Sequence, residues 1–276
     1  MPELPEVETI VRALRLGGRG GPALLGQRIQ RGRLLWPRTL AEPTPVEFEN
    51  RVCGQTIRDI CRRGKFLIFR LDVDSMLIHL RMSGDLLVEP QSTPFAPHDR
   101  LILELDRGLR LAFNDPRKFG RVWLVGDPEC ILAKLGPEPL DPSFTPEELY
   151  TRLQHTRRQL KPLLLDQSFI AGLGNIYTDE ALHLAGLHPL QAAHLLSLTQ
   201  VVRLHESIQA VLLDGIQRQG ASIDWVYRGG DFQNYFRVYQ RTGQPCPVCG
   251  TPVERMVIGQ RGTHFCRICQ PDPKGE

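Results

Sequence analysis

The sequence predicts a multidomain α+β protein, and three observations carry that expectation. Residues to about 130 alternate short β-branched or aromatic runs with turns, the stretch after 145 has helical periodicity, and the tail carries two CxxC pairs. At 276 residues and 41% hydrophobic composition, the chain is long enough for two domains or more. We place the divisions at 1–135, 136–238 and 239–276.

The elements follow in order. Val7, Ile10, Val11 and Leu14 recur at helical spacing after an acidic start, and Pro5 is tolerated in a first turn. FLIFRLD and SMLIHLRMSG read as strands, and Arg100–Asp115 reads as a hairpin turning at Asp106, Arg107 and Gly108. Strands spaced this closely argue for an antiparallel sandwich or barrel. Gly136–Leu149 holds four prolines and reads as a linker ending in a capping box, Thr145 to Glu148. A second box, Ser197 to Gln200, opens a helix with Val201, Leu204, Ile208, Val211 and Leu212 on one face. Gly172 and Gly174 make a tight turn before another helix.

The net charge of +3 permits a polyanionic partner without requiring one. No apolar run reaches the length of a membrane helix and no signal segment opens the chain, so a soluble cytoplasmic protein is expected. HExxH, GxSxG, P-loop and Rossmann fingerprints are absent, which removes support for the common hydrolase, NTPase and dehydrogenase readings.

Cys246, Cys249, Cys266 and Cys269 form the strongest motif. Sixteen residues separate the inner cysteines, the spacing of a four-cysteine zinc ribbon. Four thiolates close the shell, so the expected zinc is structural. QRGTHF between the pairs reads as a hairpin with Arg261 and His264 near its tip. Basic clusters recur at CRRGKF, NDPRKFGR and HTRRQLK. Each alone is commonly a solvated face; three of them with a zinc ribbon point to nucleic acid.

The opening MPELPEVE admits two readings. As structure, its acids complement a helix N-terminus, and read alone it favours that. As chemistry, loss of Met1 would leave Pro2 as a free secondary amine beside Glu3. An α-amino group is roughly a quarter neutral at pH 7.5, against about 0.1% of an ordinary lysine. An adjacent carboxylate can move protons for it.

Together, MPELPEVE, RRGKFL, HLRMSG, NDPRKFG, LLLDQSFIAGLGNIYTDEAL and CPVCG…CRICQ resemble the bacterial formamidopyrimidine-DNA glycosylase family nearly end to end. The resemblance implies an N-terminal β-sandwich with a flanking helix, a helix–two-turns–helix domain and a C-terminal zinc finger. It implies a monomer acting on damaged double-stranded DNA, removing 8-oxoguanine and formamidopyrimidines and cleaving the abasic strand by β,δ-elimination. Pro2 matches the family's Schiff-base nucleophile, Glu3 its proton donor and acceptor, and Glu6 a supporting carboxylate. Lys65 and Arg261 match residues assisting elimination. His98, Arg157, Lys161 and Asn175 match DNA contacts, and Met82, Arg117 and Phe119 match the trio inserted into the duplex. Ala221–Tyr239, where the family keeps its lesion-recognition loop, carries Trp225. The rival readings are an endonuclease VIII-like enzyme for oxidised pyrimidines and a non-catalytic zinc-ribbon DNA binder.

Overall fold

The structure, a computed structural model, describes residues 1–222 and 229–272. The chain divides into two compact units, Met1–Ala133 with Gln219–Gly230, and Lys134–Arg218 with Asp231–Glu276. Trp225 and its neighbours 223–228 lie outside the described residues.

The first unit begins with α1 (Leu4–Leu16), followed by β1 (Ile29–Leu34), β2 (Leu40–Glu42) and α2 (Pro45–Val52). Seven strands come next: β3 (Asp59–Arg63), β4 (Phe66–Arg70), β5 (Ser75–His79), β6 (Asp85–Pro90), β7 (Asp99–Leu105), β8 (Leu109–Asn114) and β9 (Arg121–Val125). A single turn of helix, α3 (Glu129–Leu132), ends the run. The strands form two sheets, β1-β7-β8-β6 and β2-β9-β5-β4-β3. The β7–β8 hairpin turns at Asp106–Gly108, as its sequence predicts.

Ile29, Leu101, Leu103, Leu111 and Phe113 from one sheet meet Ile60, Leu67, Phe69, Ile78 and Val122 from the other in one apolar cluster. The arrangement is therefore a sandwich. Each such side chain contributes about 1.5–3 kcal/mol on burial. The antiparallel expectation needs one correction: β2 lies parallel to β9. The edge strand β2 and its neighbour β9 are distant in sequence, so no hairpin turn imposes an antiparallel pairing.

Helix α1 buries Val7, Ile10, Val11 and Leu14 in the same cluster. Glu8 on its outer side accepts from Arg62 Nε of β3 at 3.1 Å, fixing the helix across the sheet. Helix α2 has a plain local signal: Thr44 and Glu47 form a capping box with both arms made.

The second unit holds α4 (Pro146–Gln154), α5 (Leu160–Leu164), α6 (Asn175–Ala185), α7 (Leu198–Gln217), β10 (Glu254–Ile258) and β11 (Arg261–Phe265). Thr145 caps α4 by accepting the Glu148 N–H at 3.3 Å, and Ser197 and Gln200 close both arms of their box on α7. The predicted apolar face of α7 is buried. The proline-rich stretch before α4 is part of this unit rather than a free linker. Gly136 N–H donates to Gln167 O at 2.8 Å, Ala171 N–H to Pro137 O at 3.0 Å, and Phe144 is 2% exposed.

Helix α6 is buried on nearly every side. Its Glu180 carboxylate accepts three successive backbone N–H groups, from Arg237, Val238 and Tyr239 at 2.7–3.0 Å. Burial pushes this carboxyl above its ordinary pKa, while the three donors pull it down. Glu180 thereby holds the strand of chain that leads into the cysteine-bearing tail. Among the described residues, no helix is long and apolar enough to cross a membrane.

Candidate catalytic residues and nucleic-acid interface

In the first unit, three of the residues predicted from the sequence, Pro2, Glu3 and Glu6, stand at the start of α1. Pro2 is buried next to an exposed Met1, and Glu3 is the N-cap, only 2% exposed. Glu6, equally buried, divides its carboxylate between two duties. Oε2 accepts the Glu3 N–H at 2.7 Å and Oε1 accepts the Ala221 N–H at 2.8 Å. The acidic opening is thus both a helix cap and a clamp. It ties Glu3 to the chain at Ala221.

Lys65 sits in the β3–β4 turn and is 5% exposed. Across the sheet, Phe66 pairs with His79, whose ring meets it edge-on at 4.8 Å. Burial, then the charges of Arg81 and Lys65, lower the His79 pKa from 6.5 to about 3. Its neutral Nδ1 accepts the Arg81 N–H at 3.0 Å. The sign follows from linkage: between pH 6.5 and 3 the unfolded chain binds a proton that the folded one does not. Stability is therefore present above pH 6.5 and lost as pH falls, by about 2 kcal/mol at pH 5. Urea titrations of the native chain between pH 7 and 5 should show that loss, and His79→Asn, which keeps an acceptor, should flatten it. Equal slopes for both proteins would remove His79 as the cause.

Met82 (38% exposed) lies between β5 and β6, and Phe119 (50% exposed) between β8 and β9. The guanidinium of exposed Arg117 stands 5.3 Å over the Phe119 ring. Lys118 turns the other way, its Nζ 4.1 Å above the ring of Trp36. His98 is exposed just before β7, and its carbonyl accepts the Asp115 N–H at 2.8 Å.

The second unit holds the other predicted residues. Arg157 is exposed between α4 and α5. Asn175, the first residue of α6, donates from Nδ2 to the Gly262 carbonyl at 3.0 Å. That bond joins the helix N-terminus to β11, whose first residue, Arg261, is exposed. Lys161 is wholly buried, its Nζ bonded to Asp179 Oδ1 and, at 3.3 Å, to Asn175 O. Its ammonium serves the inside of the unit, holding the backbone of Asn175. His264 also differs from expectation. It stands within β11 opposite Arg255, not near the hairpin tip, and its N–H and ring face Asp179 Oδ2 at 3.0 and 3.2 Å. The hairpin is longer than QRGTHF, turning at Gly259 and Gln260, so His264 is the fourth residue of β11 counted from the turn and points inward.

The ligand atoms of Cys246, Cys249, Cys266 and Cys269 all lie within 4.8 Å of one another. Sγ–Sγ separations of 3.8 Å (Cys246–Cys269) and 3.4 Å (Cys249–Cys266) match a tetrahedron with metal–sulfur bonds near 2.3 Å. His183 Nε2 lies 3.3 Å from Cys246 Sγ, placed to donate to a thiolate from outside the set. The donor chemistry and spacing fit a structural metal ion with a closed shell.

Sequence reasoning missed three buried carboxylates that organise these residues: Asp115, Asp179 and Glu180. A local hint exists only for Asp179 and Glu180, two adjacent acids in a helix that also carries Ile176, Ala181 and Leu182.

Comparison with known proteins agrees across the whole chain. Residues 1–122 match the N-terminal domain of formamidopyrimidine-DNA glycosylase, residues 135–226 its H2TH domain, and residues 243–271 the zinc finger found in FPG and IleRS. The formamidopyrimidine-DNA glycosylase of Chloroflexus aggregans is 47% identical over 278 residues, covering 98% of both chains. The Lactococcus lactis enzyme bound to DNA containing N7-benzyl-Fapy-dG superposes with a TM-score of 0.91 at 35% identity, over 98% of this chain and all of that one. The same enzyme bound to abasic-site DNA gives 0.89 at 35% identity with the same coverage. With all three domains matched and this identity held over nearly the full length, the chain belongs to the formamidopyrimidine-DNA glycosylase family of DNA-repair enzymes.

Proposed function

We propose that the protein excises oxidised purines, 8-oxoguanine and formamidopyrimidines, from duplex DNA and then cleaves the abasic strand by β,δ-elimination. The observation that carries this reading is the arrangement at the start of α1. Pro2 is followed by a buried Glu3 whose backbone Glu6 clamps. A DNA binder without chemistry could use Glu3 as a helix cap but has no reason to place it beside a potential secondary amine.

Once Met1 is removed, the Pro2 nitrogen attacks C1′ of the damaged nucleotide and the base leaves with a proton. Protonation of O4′ then breaks the C1′–O4′ bond and opens the sugar, giving an iminium that acidifies C2′; loss of the C2′ proton expels the 3′ phosphate, and a second elimination expels the 5′ phosphate. Glu3 gives and takes protons through these steps, and Glu6 holds Glu3 in place. Lys65 and Arg261 assist elimination by countering charge on the departing phosphates. His98, Arg157 and Asn175 contact DNA, and Lys161 supports Asn175 from beneath. The four cysteines hold one zinc ion, which supplies folding energy and no water for hydrolysis. The functional divisions in this reading are 1–135, 136–238 and 239–276.

Met82, Arg117 and Phe119 enter the duplex as the lesion leaves, since refilling the gap offsets an unstacking cost of a few kcal/mol. Arg117 donates to the orphaned partner base; cytosine offers acceptors at O2 and N3, and adenine no comparable pair. In single-turnover excision, Arg117→Ala should therefore narrow the preference for 8-oxoguanine opposite cytosine over adenine. Phe119→Ala should slow both duplexes about equally, by about 1–3 kcal/mol, the scale of one base–aromatic stack. An unchanged cytosine-to-adenine ratio in Arg117→Ala would make Arg117 a phosphate contact only.

The overall reading is tested with a duplex carrying one 8-oxoguanine, beside a matched duplex carrying an oxidised pyrimidine. Faster base release and strand cleavage on the first is expected. Retention without cleavage would make the protein a binder, and a preference for the pyrimidine would place it with the endonuclease VIII-like enzymes.

A further inference from the structure

The loops bearing Met82 and Phe119 are joined by a buried device that the roles above leave unused. Both loops cross between the two sheets at one corner of the sandwich. The first leaves β5 at His79 and enters β6 at Asp85; the second leaves β8 at Asn114 and enters β9 at Arg121. His79 pairs with Arg121 in one sheet and Asp85 with Asn114 in the other, so the loops run side by side.

Asp115 lies between them with no exposed surface. Its Oδ1 accepts from the Ser83 hydroxyl of the first loop and from the Arg117 N–H at 3.2 Å. Its Oδ2 accepts the Gly120 N–H at 2.7 Å. Ser83 Oγ in turn accepts the Arg117 N–H at 3.2 Å, closing a small ring of bonds across both loops. Arg100 Nε donates to the Asp115 carbonyl at 2.8 Å and fixes the pivot from behind. The ring of Phe113 completes the joint. A Cβ on Gly84 would meet it at 2.7 Å and a Cβ on Gly120 at 2.3 Å, so both loops reach this ring through a residue that must lack a side chain.

We propose that Asp115 and Ser83 are positioning residues that lock the two loops into one rigid wedge, so that Met82 and Phe119 enter the duplex together. A carboxylate buried this completely is costly unless its acceptors are filled. Here the donors come from both loops, so opening one loop alone would leave the charge undersatisfied. The inference rests on the wedge reading of Met82, Arg117 and Phe119.

The two are separable by a double-mutant cycle in single-turnover excision. In the native background, Met82→Ala and Phe119→Ala should each slow excision about tenfold, the scale of one lost stack. Because the loops move as one, the double variant should be slowed by clearly less than the product of the two factors. In a Ser83→Ala background, where the hydroxyl linking the loops is gone, the two effects should multiply. Asp115→Ala, which removes both acceptor oxygens, should do the same. If Asp115→Ala fails to fold, Ser83→Ala carries the test alone. Fluorescence of 2-aminopurine opposite the lesion should report weaker wedge entry in Ser83→Ala, and thermal melting checks that its fold is retained. The same sub-multiplicative coupling in native and Ser83→Ala backgrounds would overturn the proposal and leave the wedge intact. No slowing by either single variant would overturn both.

Discussion

Glu3→Gln is expected to lower single-turnover release of 8-oxoguanine by about 10²–10⁴-fold, the usual contribution of a positioned general acid or base. It should still react measurably with a pre-formed abasic site, where no base has to leave. The substitution is mild for the fold. The Glu3 N–H goes to Glu6 regardless of the side chain, and α1 remains anchored by four buried apolar residues. Pro2→Gly removes the secondary amine that forms an iminium most readily, so it should slow both base release and strand cleavage. Glu6→Gln probes a different function. Its NH2 would face either the Glu3 N–H or the Ala221 N–H, and that bond would be lost. Excision should fall while circular dichroism of α1 stays close to native. Full excision by Glu3→Gln would remove it from the chemistry and return the acidic opening to a helix cap.

Metal removal should have the other large effect. Zinc bound by four thiolates is worth about 10–16 kcal/mol of coupled binding and folding in small zinc domains. Cys249→Ser substitutes a hydroxyl that stays protonated at neutral pH and is a poor ligand. The variant should lose its one zinc, unfold the β10–β11 hairpin and lose DNA binding, because Asn175 and Arg261 depend on that hairpin. The thermal transition of the sandwich, whose apolar cluster draws only on the first unit, should be largely unchanged. Metal content, DNA titration and melting curves read the three effects separately. Full DNA affinity in metal-free protein would contradict the assignment.

Local signals made much of this legible in the sequence. The β7–β8 hairpin, the Ser197 box and the buried face of α7 each follow from residues within a few positions of one another. The CxxC pairs do too, because a tight turn fixes how two thiols point. Helix α2 belongs with them, since Thr44-Pro45-Val46-Glu47 is a complete local capping signal. The features that no local rule could supply join distant segments. Asp115 reaches Ser83 of another loop, Asp179 gathers Lys161 and His264, and Glu180 holds residues 237–239. The sequence shows a polar residue in each case and says nothing of its partner. Lys161 illustrates the consequence: beside Arg157 and Arg158 it reads as one of a basic cluster, yet only the structure separates an exposed Arg157 from a buried Lys161.

The central claim is that the Pro2 nitrogen forms a covalent bond to the damaged nucleotide, and borohydride trapping tests it most directly. The protein is incubated with 8-oxoguanine or abasic duplex in sodium borohydride, digested, and the adduct is located by mass spectrometry. The account predicts a reduced adduct on an N-terminal peptide that begins at Pro2, with Met1 gone, and little trapping by Pro2→Gly. An adduct on a lysine such as Lys65 in fully active enzyme, or full activity with Met1 still attached, would contradict it.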